Sequence, residues 1–152
     1  MTWLTDDELM KMEFGSLGKN VLLSSKASYY NTKNIYLGDN TRIDDFCIIS
    51  AGEGGIRLGR NVHISALSSV VGQAPIEFGD FSGISNKVAL FSSTDDFIKG
   101  MTNPTVPDRF RRVKHLPVTL GKHAVVGSNS VLLPGSEQIG RASCRERVLM
   151  PV

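Results

Sequence analysis

Apolar residues recur along this chain at a spacing of six. Large ones stand at Leu37, Ile43 and Ile49, at Leu58, Ile64 and Val70, at Phe78, Ile84 and Leu90, and at Leu120, Val126 and Leu132. Two positions earlier stands a small or apolar partner, as at Thr41, Cys47, Val62, Ser68, Ser82, Val88, Ala124 and Ser130. Residues two apart on an extended strand face the same side, so each hexad turns one small and one large side chain inward and leaves the rest for a corner. A helical period of 3.6 does not produce inward positions at spacings of two and six together.

A longer repeat contains the short one. The pattern apolar-x-apolar-Gly opens four segments, Ile35–Gly38, Ile56–Gly59, Ile76–Gly79 and Val118–Gly121, whose last apolar residues are separated by 21, 20 and 42 positions. A weaker copy, Leu17-Gly18, lies 20 residues before Leu37. Three hexads return the chain to its starting side, which predicts a triangular parallel β-solenoid whose coils hydrogen-bond only to their neighbours. Gly38 and Asn40, and likewise Gly59 and Asn61, are expected to accept left-handed backbone at a corner. Ahead of the coils, Thr5-Asp6-Asp7-Glu8 is a capping box, and Leu4 with Leu9 fits the flanking hydrophobic staple. A short helix over Asp6 to Glu13, ending near Gly15, is expected to cover the first coil.

The domain reading is therefore a helical cap over residues 1–16, a solenoid over 17–135 and, inside it, an ejected loop over 91–117. One coil accounts for about half of the 42-residue step, so a loop of roughly 22 residues leaves the stack between Phe91 and Leu116. Long loops on rigid scaffolds carry function. This one holds both charge signs: Asp95, Asp96, Arg109, Arg111, Arg112, Lys114 and His115. After Pro134-Gly135 the rhythm stops. Residues 136–152, with Gln138-Ile139-Gly140-Arg141-Ala142-Ser143-Cys144-Arg145-Glu146-Arg147-Val148, resemble a translated sequencing-library adapter and stand outside the fold reasoning.

The hexads resemble those of the left-handed β-helix acyltransferases with hexapeptide repeats, over roughly residues 15–135. Handedness follows from that resemblance alone, since crossover physics by itself favours right-handed connections. The stretches Gly79–Ser85, Thr94–Phe97 and Met101–Pro107 are similar to bacterial surface-polysaccharide acetyltransferases, nearest to the branch that N-acetylates nucleotide-linked 4-amino-4,6-dideoxyhexoses. The resemblance implies an acetyl-CoA-dependent enzyme of lipopolysaccharide or related biosynthesis, a homotrimer with sites between subunits, and direct transfer without a metal. A sugar O-acetyltransferase of the galactoside or maltose type and a non-catalytic solenoid scaffold are the alternatives.

Acyl transfer needs a group that receives the proton of the nucleophile and donors for the oxyanion. His63 alternates outward between inward Val62 and Ile64. The resemblance places Asp95, with Asp96 beside it, where hydroxyl-directed relatives carry a catalytic histidine, which points to an amine acceptor. Asn86 is a candidate for contact with that acceptor. Arg109 and Arg112 suit phosphate groups through forked, charge-assisted hydrogen bonds. Gly127-Ser128 resembles the family's stretch beside the pantetheine arm of CoA. His63, His115 and His123 lack the spacing of the zinc-binding histidines in gamma-class carbonic anhydrases, which share this solenoid. Cys47 reads as an inward core thiol.

Composition narrows the picture without choosing a partner. The 152 residues are 41% hydrophobic and 21% charged, with 17 Lys and Arg against 15 Asp and Glu. No basic run suits nucleic acid. No apolar stretch approaches the roughly 20 residues of a membrane helix, and the N-terminus lacks a secretory pattern, so a cytoplasmic protein is expected. Two cysteines without Cys-x-x-Cys spacing make neither a disulfide framework nor a zinc site.

Overall fold

The computed structural model describes residues 1–139 and, for backbone alone, the strand Ser143–Cys144. Three parallel sheets enclose one core. The first face stacks Ser16–Leu17, Ile35–Leu37, Ile56–Leu58, Ile76–Phe78, Val118–Leu120 and Glu137–Gln138. The second stacks Leu22–Leu23, Arg42–Ile43, His63–Ile64, Gly83–Ile84, Val125–Val126 and Ser143–Cys144. The third stacks Ser28–Tyr30, Ile48–Ala51, Ser69–Gly72, Ala89–Phe91 and Val131–Leu132. This is the all-β solenoid of about six turns that the periodicity predicts, and it is consistent with the left-handed coil.

Register is strict because a slip would move every inward side chain to the wrong side. Ile56, Ile76 and Val118 align on successive coils, as do Ile43, Ile64, Ile84 and Val126. The inward small positions are buried with them: Thr41, Cys47, Val62, Ser68, Ser82, Val88, Ala124 and Ser130. Their hydroxyls are tolerated inside because corner carbonyls accept from them. Thr41 Oγ1 donates to Gly38 O at 2.8 Å, Ser82 Oγ to Gly79 O at 2.7 Å and Ser68 Oγ to Ser85 O at 3.1 Å.

The corner expectation holds for asparagine and not for glycine. Asn40 and Asn61 have φ of 57° and 56°. Gly38 and Gly59 are absent from the left-handed set. A Cβ on Gly38 would strike the Gly59 carbonyl on the next coil, so that glycine serves close stacking instead. On later coils, Phe81 and His123 occupy the asparagine corner with φ of 60° and 62°, and their rings stack at 5.2 Å.

The cap helix runs Asp6–Lys11, shorter than expected, because Glu13 turns into left-handed backbone at φ 51°. Its capping box is formed: Glu8 N donates to Thr5 Oγ1 at 3.3 Å and Thr5 N to Glu8 Oε2 at 2.7 Å. Leu9 is buried, and Leu4 packs on the core.

Two regions add to the sequence reading. The ejected loop has structure of its own, since Ser93–Asp95 pairs antiparallel with Val113–His115 and Met101 bridges Arg111. The sheets also continue beyond Gly135: Thr119 pairs with Glu137, and Gly121 N donates to Gln138 O at 2.7 Å. An open coil edge presents unpaired N–H and C=O groups, and chain crossing it satisfies them whatever its side chains. Within the adapter-like tail, residues 140–142 and 145–152 lie outside the described residues.

Candidate active site

The outer side of the second face carries a hollow of about 250 Å³. His63, Ser65, Phe81, Gly83, Ser85 and Val125 are among its lining residues. Strand alternation places His63, Gly83 and Val125 outward at matching rungs of three coils. The middle rung lacks a side chain. A Cβ on Gly83 would come within 3.0 Å of the His63 carbonyl oxygen, so glycine there keeps the coils close and the floor open.

His63 is anchored from one coil back. Its Nε2 lies 2.9 Å from Asp44 Oδ2, while Arg42 Nε donates to Asp44 Oδ1 at 2.7 Å. Asp44 is buried. Burial opposes its ionisation, but the hydrogen bonds from Arg42 and His63, with their charges, outweigh that and hold its carboxyl below the usual range. Arg42 in turn lies over the Trp3 ring at 5.5 Å. Asp44 and Arg42 escaped the sequence reading, although a signal was present. Arg42 precedes His63 by 21 residues, one coil step, and Asp44 stands two residues further along.

Asn86 and Gly127-Ser128 come together at the corner that ends the second face. Ser85 N donates to Val126 O at 2.9 Å and Asn129 N to Asn86 O at 3.2 Å, which sets the two turns on adjacent coils. Asn86 and Ser128 are exposed and Gly127 is half-buried.

Asp95 and Asp96 stand elsewhere, on the arm that leaves the end of the third face. Arg111 donates from Nη2 to Asp95 Oδ1 and from Nη1 to Asp108 Oδ1, both at 3.5 Å. Asp96 caps a turn: Ile98 N and Lys99 N donate to its Oδ1 at 3.1 and 3.2 Å, and Lys114 Nζ lies 3.5 Å from Oδ2. The Ile98 N–H leads the effects that hold the Asp96 carboxyl below its usual range. Arg109 and Arg112 are exposed, with Arg109 over the Phe110 ring at 4.6 Å. Arg111, flanked by these two, is the arginine turned toward the stack. It lines a second hollow of about 480 Å³ with Gly72, Gln73, Ser93 and His115. Ser93 Oγ and His115 Nδ1 are 2.8 Å apart.

His63 lines the smaller of these two hollows, and Asp95 lines neither. Cys47 is buried, and burial pushes its thiol up. Among the described residues no three His, Cys, Asp or Glu side chains cluster as metal ligands, and no helix is long and apolar enough to cross a membrane.

Coils of hexads with an outward His63 hollow and an ejected arm define the protein's class as a hexapeptide-repeat β-solenoid. No protein-family model matches the sequence. A relative in Escherichia coli, dTDP-4-amino-4,6-dideoxy-D-glucose acyltransferase, is 41% identical over 135 residues, 88% of this chain and 70% of that protein. AntD, an N-acyltransferase from Bacillus cereus solved with dTDP and 3-hydroxybutyryl-CoA, superposes with a TM-score of 0.84 at 39% identity, over 89% of this chain and 71% of that one. A single-residue variant of AntD, solved with dTDP-4-amino-4,6-dideoxyglucose and coenzyme A, gives a TM-score of 0.83 at 38% identity, over 89% and 72% of the two chains. The chain belongs to the hexapeptide-repeat acyltransferases that act on nucleotide-linked amino sugars, and it is an acyltransferase.

Proposed function

We propose that the protein transfers an acyl group, acetyl in the simplest case, from its CoA thioester directly to the 4-amino group of a dTDP-linked 4-amino-4,6-dideoxyhexose. The relatives' named substrates carry this reading. The sugar nitrogen attacks the thioester carbonyl, a C–N bond forms, the C–S bond breaks, and one proton passes from nitrogen to the departing CoA sulfur. Asp95 is the carboxylate assigned to hold the ammonium form by charge and take its extra proton, freeing the nitrogen lone pair, and His63 the group assigned to carry the remaining proton to the sulfur. No activated covalent nucleophile is required, in keeping with a buried Cys47.

One further observation supports Asp95. AntD has been solved with substitutions at a serine and an aspartate ten positions apart. Ser85 and Asp95 are the one serine–aspartate pair of this chain at that separation. Ser85 lines the His63 hollow while Asp95 sits on the arm, so a site using both draws them from neighbouring subunits of a homotrimer. Exposed Phe46, Leu67, Phe81, Val125 and Val131 supply apolar surface for such contacts. In this assembly Asn86 meets the acceptor, Gly127 and Ser128 border the pantetheine arm, and Arg109 and Arg112 face phosphates. Asp96 supports the arm as a turn cap beside Asp95. The amide product serves surface-polysaccharide synthesis in the cytoplasm, where acyl-CoA is available.

The test is thiol release from acetyl-CoA with dTDP-4-amino-4,6-dideoxyglucose, with mass spectrometry of the product. Mass gain by the amino sugar with sequential kinetics is the expected result. A preference for hydroxyl acceptors, an acetylated enzyme or ping-pong kinetics would overturn the reading.

A further inference from the structure

We infer that Asp44, held by Arg42, is a positioning residue that locks His63 in its Nε2–H tautomer and so makes Nδ1 the proton-accepting atom of the site. This rests on the proposed role of His63. A carboxylate only accepts hydrogen bonds, so the nitrogen 2.9 Å from Asp44 Oδ2 must carry a proton, and in the neutral ring the lone pair is then on Nδ1. Asp44 stays a carboxylate because Arg42 Nε donates to its other oxygen at 2.7 Å. Neither Arg42 nor Asp44 lines the hollow that His63 lines, so their route to the reacting atoms runs through the imidazole.

The surroundings of His63 leave this pair as its electrostatic control. The preceding coil contributes Arg42 and Asp44, the following coil Gly83 and Ser85, and the coil beyond it Val125. The charged groups among these neighbours come from the preceding coil. Arg42 on its strand and buried Asp44 just past the strand's end meet His63 on the next coil, so the ladder sets the ring's orientation.

The experiment uses the full chain with ¹⁵N-labelled histidine, observed by nitrogen–proton correlation NMR at mildly alkaline pH. The expected spectrum shows neutral His63 protonated at Nε2, and Asp44→Asn shifts it toward the other tautomer or a mixture. Asp44→Asn is expected to lower kcat roughly tenfold to a hundredfold, with KM for both substrates within about twofold. Asp44→Glu should recover part of the loss. An Nδ1–H tautomer in the unaltered protein, which no folding defect can imitate, would overturn the inference. So would an unchanged kcat in Asp44→Asn alongside a large loss in His63→Asn. An unchanged kcat in His63→Asn would instead remove the proposed role of His63 itself.

Discussion

On the coil stack, Asp44 receives Arg42 at 2.7 Å and faces His63 at 2.9 Å; on the arm, Arg111 spans Asp95 and Asp108 at 3.5 Å each. Both clusters join carboxylates to cations. The first is built on strands whose neighbours sit above and below in fixed register, so its distances are set by the ladder. The second hangs on a two-stranded ribbon tied to the stack at one end, and its Arg111 Nε is buried without a partner among the described residues. A parallel coil stack thus positions a histidine to hydrogen-bond precision, whereas the arm presents its charge on a ribbon of two strands. On the proposed function, the coil part is preorganised within one chain and the arm part is completed when subunits meet.

The sharpest way to break the coil side is to place a charge inside it. Ile64→Asp puts an unpaired carboxylate in a fully buried column between Ile43 and Ile84. The cost should exceed a domain stability of about 5–15 kcal/mol, and soluble, cooperatively unfolding protein should be lost. A soluble variant with an ordinary melting transition would refute the inward assignment.

The arm side is tested by Asp95→Asn, which keeps shape and removes charge. Turnover should fall by about tenfold or more while acyl-CoA affinity, measured by calorimetry, stays within about twofold. Equal turnover would take Asp95 out of the chemistry.

The Asp44 carboxyl, held below its usual range, adds stability that is present above the ordinary carboxylate pKa of about 4 and is lost as pH falls through the lower folded value. The melting temperature of Asp44→Asn should therefore lie below that of the unaltered protein at neutral pH, with the gap closing as pH falls below the usual carboxylate range. A gap independent of pH would mean that packing, not charge, underlies it.

The smallest effect belongs to Arg111→Ala. Its two long ion pairs join partly or fully exposed partners, so the loss in stability should stay within about 1 kcal/mol by denaturant titration. A larger loss would make the arm as rigidly built as the coil and erase the contrast.

Much of this was legible along the chain. The inward columns, the outward direction of His63, the capping box and the departure of the arm follow from spacing, since in a solenoid each coil repeats the last. Asp44 was legible in principle through the one-coil offset between Arg42 and His63, but periodicity alone does not announce a hydrogen bond between side chains. The ribbon inside the arm was not legible, because Thr94 and Lys114 pair across about 20 residues that carry no repeat. The glycine columns were misassigned for a related reason. Their need lies in the distance to the next coil and not in their own backbone angles.

The triangular section, the coil length and the identity of the core side chains depend on alternation and period within a few residues and are readable along the chain. The meeting of Asp44 with His63, the capture of Asp95 by Arg111, and the placing of His63 on the second face and Asp95 on the ribbon emerge only in three dimensions. Those facts depend on how consecutive coils are offset and where the arm leaves them, distances between residues far apart in sequence that no local pattern encodes.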